Sequence, residues 1–101
     1  MSHRQPFLNI VWLEDWKASY TKLAADRQRA CDECAFALIK QAVTPDLRIK
    51  PIQPEKYYFE ARVNSGDRII FRIEAGTIFF FDIVKHDDIG QYGRRSKRVG
   101  P

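Results

Sequence analysis

Only two of the 101 residues are cysteine, and they stand close together as Cys31 and Cys34. A tetrahedral zinc site needs four ligands, and the chain has neither a second C-x-x-C nor an H-x-H pair to complete one. The pair lies within "DRQRACDECAFALIKQAV", which reads as a helix interior and not as the strand-to-helix turn of a redox site. Two small residues on a buried helical face are therefore the expectation. Long apolar runs are also missing. "IFFFDIV" is interrupted by Asp82 and falls far short of the ~20 residues of a membrane helix. The start, "MSHRQPFLNIVW", has no signal-peptide core, which predicts a cytoplasmic protein with no membrane partner. There is no internal repeat and no low-complexity segment.

What is present suits one small domain spanning 1–101, with 45% hydrophobic residues and seven Phe, four Tyr and two Trp to fill a core. Charge is uneven. Lys and Arg total 17 against 13 acids, and "RRSKR" at 94–98 holds four of those cations. The remainder is neutral, so the excess is local. A local basic cluster is the footprint of a polyanion partner, and equally the composition of a solvated tail.

"FLNIVW" (7–12) is rich in strand formers. From Leu13 the period changes: Leu13, Trp16, Tyr20 and Leu23 recur at helical spacing, with Glu14, Asp15, Lys17 and Lys22 on the other side. A second helix is expected from about Asp26 as N-cap, with Cys31, Cys34, Ala35, Leu38 and Ala42 as its apolar stripe and Pro45 as its end. "PDLRIKPIQP" (45–54), with three prolines, reads as an extended connector. "YYFEARVN", "RIIFRIE" and "TIFFFDIVK", separated by "SGD" and "AG", form a three-stranded meander. On its last strand Phe79, Phe81 and Ile83 are expected on one face, and Ile78, Phe80, Asp82 and Val84 on the other. The pattern β-α-α-β-β-β predicts an α+β layer: a small, mostly antiparallel four-stranded sheet, a helical hairpin on one face and a short basic C-terminal segment. The first strand should pair at an edge of the meander beside the last, leaving the face opposite the helices open for function.

Arg68 begins one strand and His86 ends its antiparallel partner, so both belong at the same end of the sheet. Tyr92 and the basic cluster follow. Such a set matches RNA cleavage by the RNA's own 2′-hydroxyl. Histidine or tyrosine moves the protons, and arginine stabilises the charge that builds on phosphorus; no metal is called for. Tyr57, Tyr58 and Tyr92 are candidates to stack on unpaired bases. Each residue also has a purely structural role open to it. Arg68 and Arg72 can pair with Glu60 or Glu74, His86 with Asp87, and Tyr92 can anchor a C-terminal helix.

"YYFEARVNSGDRIIFRIEAGTIFFFDIVKHDDIGQY" (57–92) resembles the C-terminal half of RelE/ParE-superfamily toxins of bacterial toxin–antitoxin modules. The shared features are an aromatic "R-V" strand, a Gly-containing turn, "R-I-I-F-R-I", and a hydrophobic strand ending in a His/Arg-rich loop with a following Tyr. The helical hairpin and the "KPIQP" connector fall where that family has them. The resemblance implies a microbial RNase-like, RelE-like fold, no cofactor, and a cognate antitoxin as partner. It leaves more than one activity open: ribosome-dependent mRNA cleavage, as in the RelE branch, or a non-enzymatic protein, either a DNA gyrase poison as in the ParE branch or a diverged member that binds a protein partner or RNA without cleavage. On the first, ribosome and mRNA are partners. Arg68 then matches the arginine that holds the scissile phosphate, His86 lies in the loop supplying a proton-transfer residue, and Tyr92 matches the active-site tyrosine. Arg62, Arg72, Lys85, Arg94, Arg95, Lys97 and Arg98 are the implied substrate contacts. The chain departs from the family where some members carry lysines, having Phe59, Glu60 and Ala61 instead, and it places Asp87 and Asp88 beside His86. Those changes remove a lysine-based mechanism and leave a histidine-based one.

Overall fold

A computed structural model describes residues 5–54 and 56–92. Arg94, Arg95, Lys97 and Arg98 lie outside the described residues. The elements are β1 (Asn9–Trp12), α1 (Glu14–Thr21), α2 (Ala25–Lys40), a 3₁₀ turn at Pro45–Leu47, β2 (Lys50–Pro51), β3 (Phe59–Arg62), β4 (Asp67–Glu74) and β5 (Thr77–Lys85). A 3₁₀ turn at His86–Asp88 follows, and residues 89–92 are helical. The sheet has the order β1-β5-β4-β3-β2. β1 runs parallel to β5, and the other pairs are antiparallel.

The sheet therefore has five strands where the sequence predicts four. The fifth is only two residues long, Lys50 and Pro51 opposite Glu60 and Phe59. Proline confines such a strand to an edge, and the prolines hid it in what reads as a connector. α1 begins at Glu14 with two acids in its first turn, where the helix dipole favours them. α2 starts earlier than predicted. Ala24 is its N-cap without a side-chain bond, and Asp26 sits inside the first turn. The helix ends at Gln41, in left-handed conformation (φ 56°), where the Ala42 N–H reaches back to the Ala37 carbonyl at 2.9 Å. This closure ends the helix before Pro45 and leaves Ala42 outside the stripe.

Two apolar clusters occupy opposite faces of the sheet. Trp16, Cys31, Cys34, Ala35 and Leu38 from the helices pack on Ala61, Ile69, Phe71, Ile78, Phe80 and Ile83. On the other face Ile52, Tyr58, Ile70 and Tyr92 are buried together, edged by Tyr57, Phe81, Val84 and Ile89. Strand β4 is thus covered on both sides, so the face opposite the helices is not open along its middle.

The expected alternation of β5 fails at one point. Ile70 is opposite Asp82, but Phe71 is opposite Phe80, so Phe81 is an extra residue in the ladder. This bulge reverses the parity of the strand and puts Ile83 with Ile78 and Phe80 on the helical face. It also places Asp82 between α1 and the chain's C-terminal turn.

Candidate functional site

Of the residues singled out from sequence, Arg62, Arg68, Lys85 and His86 lie at one end of the sheet, where the β3–β4 turn meets the end of β5. The turn is built by Asn64, whose side-chain oxygen accepts the N–H groups of Gly66 (2.9 Å) and Asp67 (2.7 Å). The Gly66 carbonyl accepts the backbone N–H of His86 at 2.9 Å, fastening the two turns together. Asp67 lies opposite Lys85, and Arg68 opposite Val84 and Arg62.

Arg68 is buried, with 9% of its surface exposed. Its Nη1 donates to the carbonyls of Asn64 (2.7 Å) and Asp67 (3.0 Å) and lies 3.4 Å from that of Ser65. Its Nε stands 3.7 Å from a buried Glu60 oxygen. The guanidinium thus holds the turn together and neutralises Glu60. Arg62 is half-buried on the same face, and its carbonyl accepts the Cys34 thiol at 3.7 Å.

His86 is different. Its side chain is 61% exposed, and Nδ1 lies 3.4 Å from an Asp87 oxygen, an ion-pair contact when the ring is protonated. Lys85 is exposed beside it, as are Asp87 and Asp88.

Tyr92 points inward. Its ring meets Tyr58 edge to face at 5.3 Å, and its hydroxyl donates to Asp82 Oδ2. Asp82 Oδ1 in turn accepts the Ser19 hydroxyl of α1 (2.5 Å) and the Ile83 N–H (2.8 Å). Sequence reading gave Asp82 no role, because only the bulge turns it toward both partners.

Arg72 is not part of this end. Four residues along β4 from Arg68, about 13 Å at ~3.3 Å per residue, it donates to the Tyr57 carbonyl at 2.6 Å. Its guanidinium covers the Tyr57 ring at 4.4 Å. Its Nε faces Glu74 at 3.7 Å and is buried without a hydrogen-bond acceptor among the described residues.

Cations that sequence reading missed complete the basic end. Arg27 of α2 grips Asp67 with two parallel bonds, Nε to Oδ2 at 3.0 Å and Nη2 to Oδ1 at 2.7 Å. Asn64 Nδ2 adds a third donor at 3.0 Å. The Arg27 bonds, aided by Asn64, hold the Asp67 carboxyl below its ordinary pKa against the opposing effect of burial. Lys22, at the C-terminus of α1, lies on the same cleft. Its position became legible only once the helical hairpin was seen to end over this part of the sheet. Cys31 and Cys34 are buried and free, and burial pushes both thiols up to about 12, so they serve packing, as expected. Among the described residues no group of three His, Cys, Asp or Glu side chains is placed to hold a metal ion, and no helix is long and apolar enough to cross a membrane.

This arrangement of a helical hairpin packed over the sheet has the fold of solved RelE/ParE-like toxins. The chain matches a chain of the RelBE2 toxin–antitoxin complex of Mycobacterium tuberculosis over 87% of its own length and 100% of that chain, with a TM-score of 0.65 at 21% identity. It matches a chain of the Escherichia coli DinJ–YafQ toxin–antitoxin complex over 78% and 92%, with a TM-score of 0.67 at 19% identity. The YoeB/ParE toxin of Agrobacterium tumefaciens matches over 78% and 99%, with a TM-score of 0.65 at 13% identity. No family model and no curated protein sequence matches the chain. The likeness is therefore one of fold, and at that level it bears out the resemblance read from residues 57–92.

Proposed function

We propose that this chain is the toxin of a toxin–antitoxin module and acts as a ribosome-dependent mRNA endoribonuclease. The observation that carries the reading is His86. It is an exposed imidazole at the end of β5, locked to the β3–β4 turn through Gly66 and flanked by Lys85, on the fold of RelE/ParE-like toxins. In the reaction the 2′-hydroxyl of one nucleotide attacks the adjacent phosphorus. Its proton goes to a base, and the 5′-oxygen of the next nucleotide leaves with a proton. His86 carries one of these transfers, for which a positioned side chain contributes roughly 10²–10⁴-fold. Arg68 contributes first by shaping the turn that positions His86. Holding the scissile phosphate would require it to exchange Glu60 for the substrate. Arg62 and Lys85 supply cationic contacts near the turn, and Arg72 lies farther along β4. Tyr92 anchors the chain immediately before Arg94, Arg95, Lys97 and Arg98, which this reading assigns to RNA. A cognate antitoxin is the implied protein partner, and the cytoplasm the implied compartment.

A specific observation favours a second reading. With Arg68 committed to three backbone carbonyls and Glu60, the same fold suits a non-enzymatic protein, either a ParE-like gyrase poison or a diverged binder of a protein or RNA. Bacterial cell-free translation with mRNA ends mapped by primer extension separates the two. The nuclease reading expects ribosome-dependent cuts at A-site codons that vanish in His86→Gln. Intact mRNA with folded protein overturns it and favours the second reading.

A further inference from the structure

We propose that Lys22, Arg27 and Lys85 form a phosphate-binding cleft for single-stranded RNA, on the helical side of the basic end. The proposal rests on the RNA-directed reading above. A cleft of about 250 Å³ opens between the end of α1, the start of α2 and the end of β5, lined by Ser19, Lys22, Arg27, Asp67 and Lys85 among others. Its polar lining is almost all donor. The one carboxylate, Asp67, is buried and already accepts two bonds from Arg27 and one from Asn64. The Ser19 hydroxyl is spent on Asp82.

Arg27 uses two of its five N–H groups on Asp67, and its side chain is 35% exposed. The ammonium groups of Lys22 and Lys85 make no side-chain hydrogen bond within the described residues. Three cations line the cleft against one lining carboxylate, Asp67, so its charge is positive even with Asp26 acting on Arg27 and Asp82 lying behind Ser19. Asp26 neighbours Arg27 in sequence but does not line the cleft. A group with several anionic oxygens and no donors, namely a phosphodiester, is the complement of such a lining. Lys85 belongs both to this cleft and to the turn that carries His86. A strand held here therefore continues toward the imidazole.

The test is fluorescence anisotropy with a labelled 20-nucleotide single-stranded RNA, titrated from 50 to 300 mM KCl. Each phosphate neutralised on a single strand contributes about 0.7 to the slope of log K against log salt. The Lys22→Gln/Lys85→Gln variant should therefore flatten the slope by about 1.4, while Lys40→Gln, on the far end of α2, leaves it unchanged. An equal effect of Lys40→Gln, an unchanged slope in the double variant, or no RNA binding by the wild type overturns the proposal. Inorganic phosphate at constant ionic strength is the second arm. Displacement of RNA by millimolar phosphate, with no slope change in the double variant, would mark a free-anion site and overturn the RNA assignment. The assay reads binding alone, so a protein that fails to cleave mRNA but shows the lysine-dependent slope loses the nuclease reading and keeps the cleft. Cleavage through His86 with an unaltered slope does the reverse.

Discussion

The backbone N–H of His86 donates to the carbonyl of Gly66 at 2.9 Å, so the turn that ends β5 hangs on the turn that begins β4. That second turn is held in shape from inside by Arg68, through the carbonyls of Asn64 and Asp67. Arg68 and His86 are thus coupled through backbone, without touching each other. Removing the arginine should disturb the histidine's position as well as any contact with substrate.

This gives Arg68 a signature that a pure phosphate ligand would lack. Arg68→Ala and Arg68→Lys should each lower stability by about 1.5–3 kcal/mol, the range for hydrogen bonds to charged groups, because buried carbonyls and Glu60 lose their partner. Urea unfolding measures this. An unchanged midpoint in either variant would mean the guanidinium is not what holds the turn.

Asp67 sets an acid limit on stability. Arg27 and Asn64 depress its folded pKa below the ordinary carboxylate value of about 3.9. The pair's contribution is therefore complete above that value and is lost as pH falls through the depressed one. Stability should be level in this respect above about pH 5 and decline below about pH 4, and Asp67→Asn should decline less steeply there. Denaturant midpoints measured from pH 2.5 to 7 decide it. A parallel decline in both proteins would assign the acid sensitivity elsewhere.

The tight turn between β4 and β5 holds Ala75 and Gly76 both at positive φ, 52° and 78°. Glycine takes that conformation without strain, whereas alanine pays about 1 kcal/mol. Ala75→Asn, which creates the Asn-Gly pair preferred in such hairpins, should raise the melting temperature by about 2–6 °C. A lower melting temperature would show that the Ala75 methyl makes a compensating contact.

Cys31 and Cys34 should resist thiol reagents at pH 8 in the folded protein and react fully in denaturant, since burial holds the thiols up to about 12. Rapid labelling under native conditions would contradict the packing described for α2.

Much of this fold was legible because the meander announces itself. "SGD" and "AG" separate three apolar strands, and the helical stripe through Cys31, Cys34, Ala35 and Leu38 has one spacing that fits. The bulge at Phe81 was not legible, since "IFFFDIV" is apolar at both parities and offers no alternation to break. Strand β2 was hidden by its proline. At the candidate site the sequence placed Arg68 and His86 at one end of the sheet, and it also allowed the pairings with Glu60 and Asp87 that the structure contains. It could not reveal that Lys22 and Arg27 overhang that end, because the placement depends on how the hairpin packs. Nor could it give Asp82 its two hydroxyl partners, which follow from the bulge.

The central claim is that His86 transfers a proton during RNA cleavage. Single-turnover cleavage on programmed bacterial ribosomes, comparing wild type with His86→Gln, tests it most directly. Because the side chain is exposed and, among the described residues, contacts only Asp87, the variant should unfold with the wild-type midpoint while its cleavage rate falls by about 10²–10⁴-fold. Equal cleavage rates in the two proteins would contradict the claim.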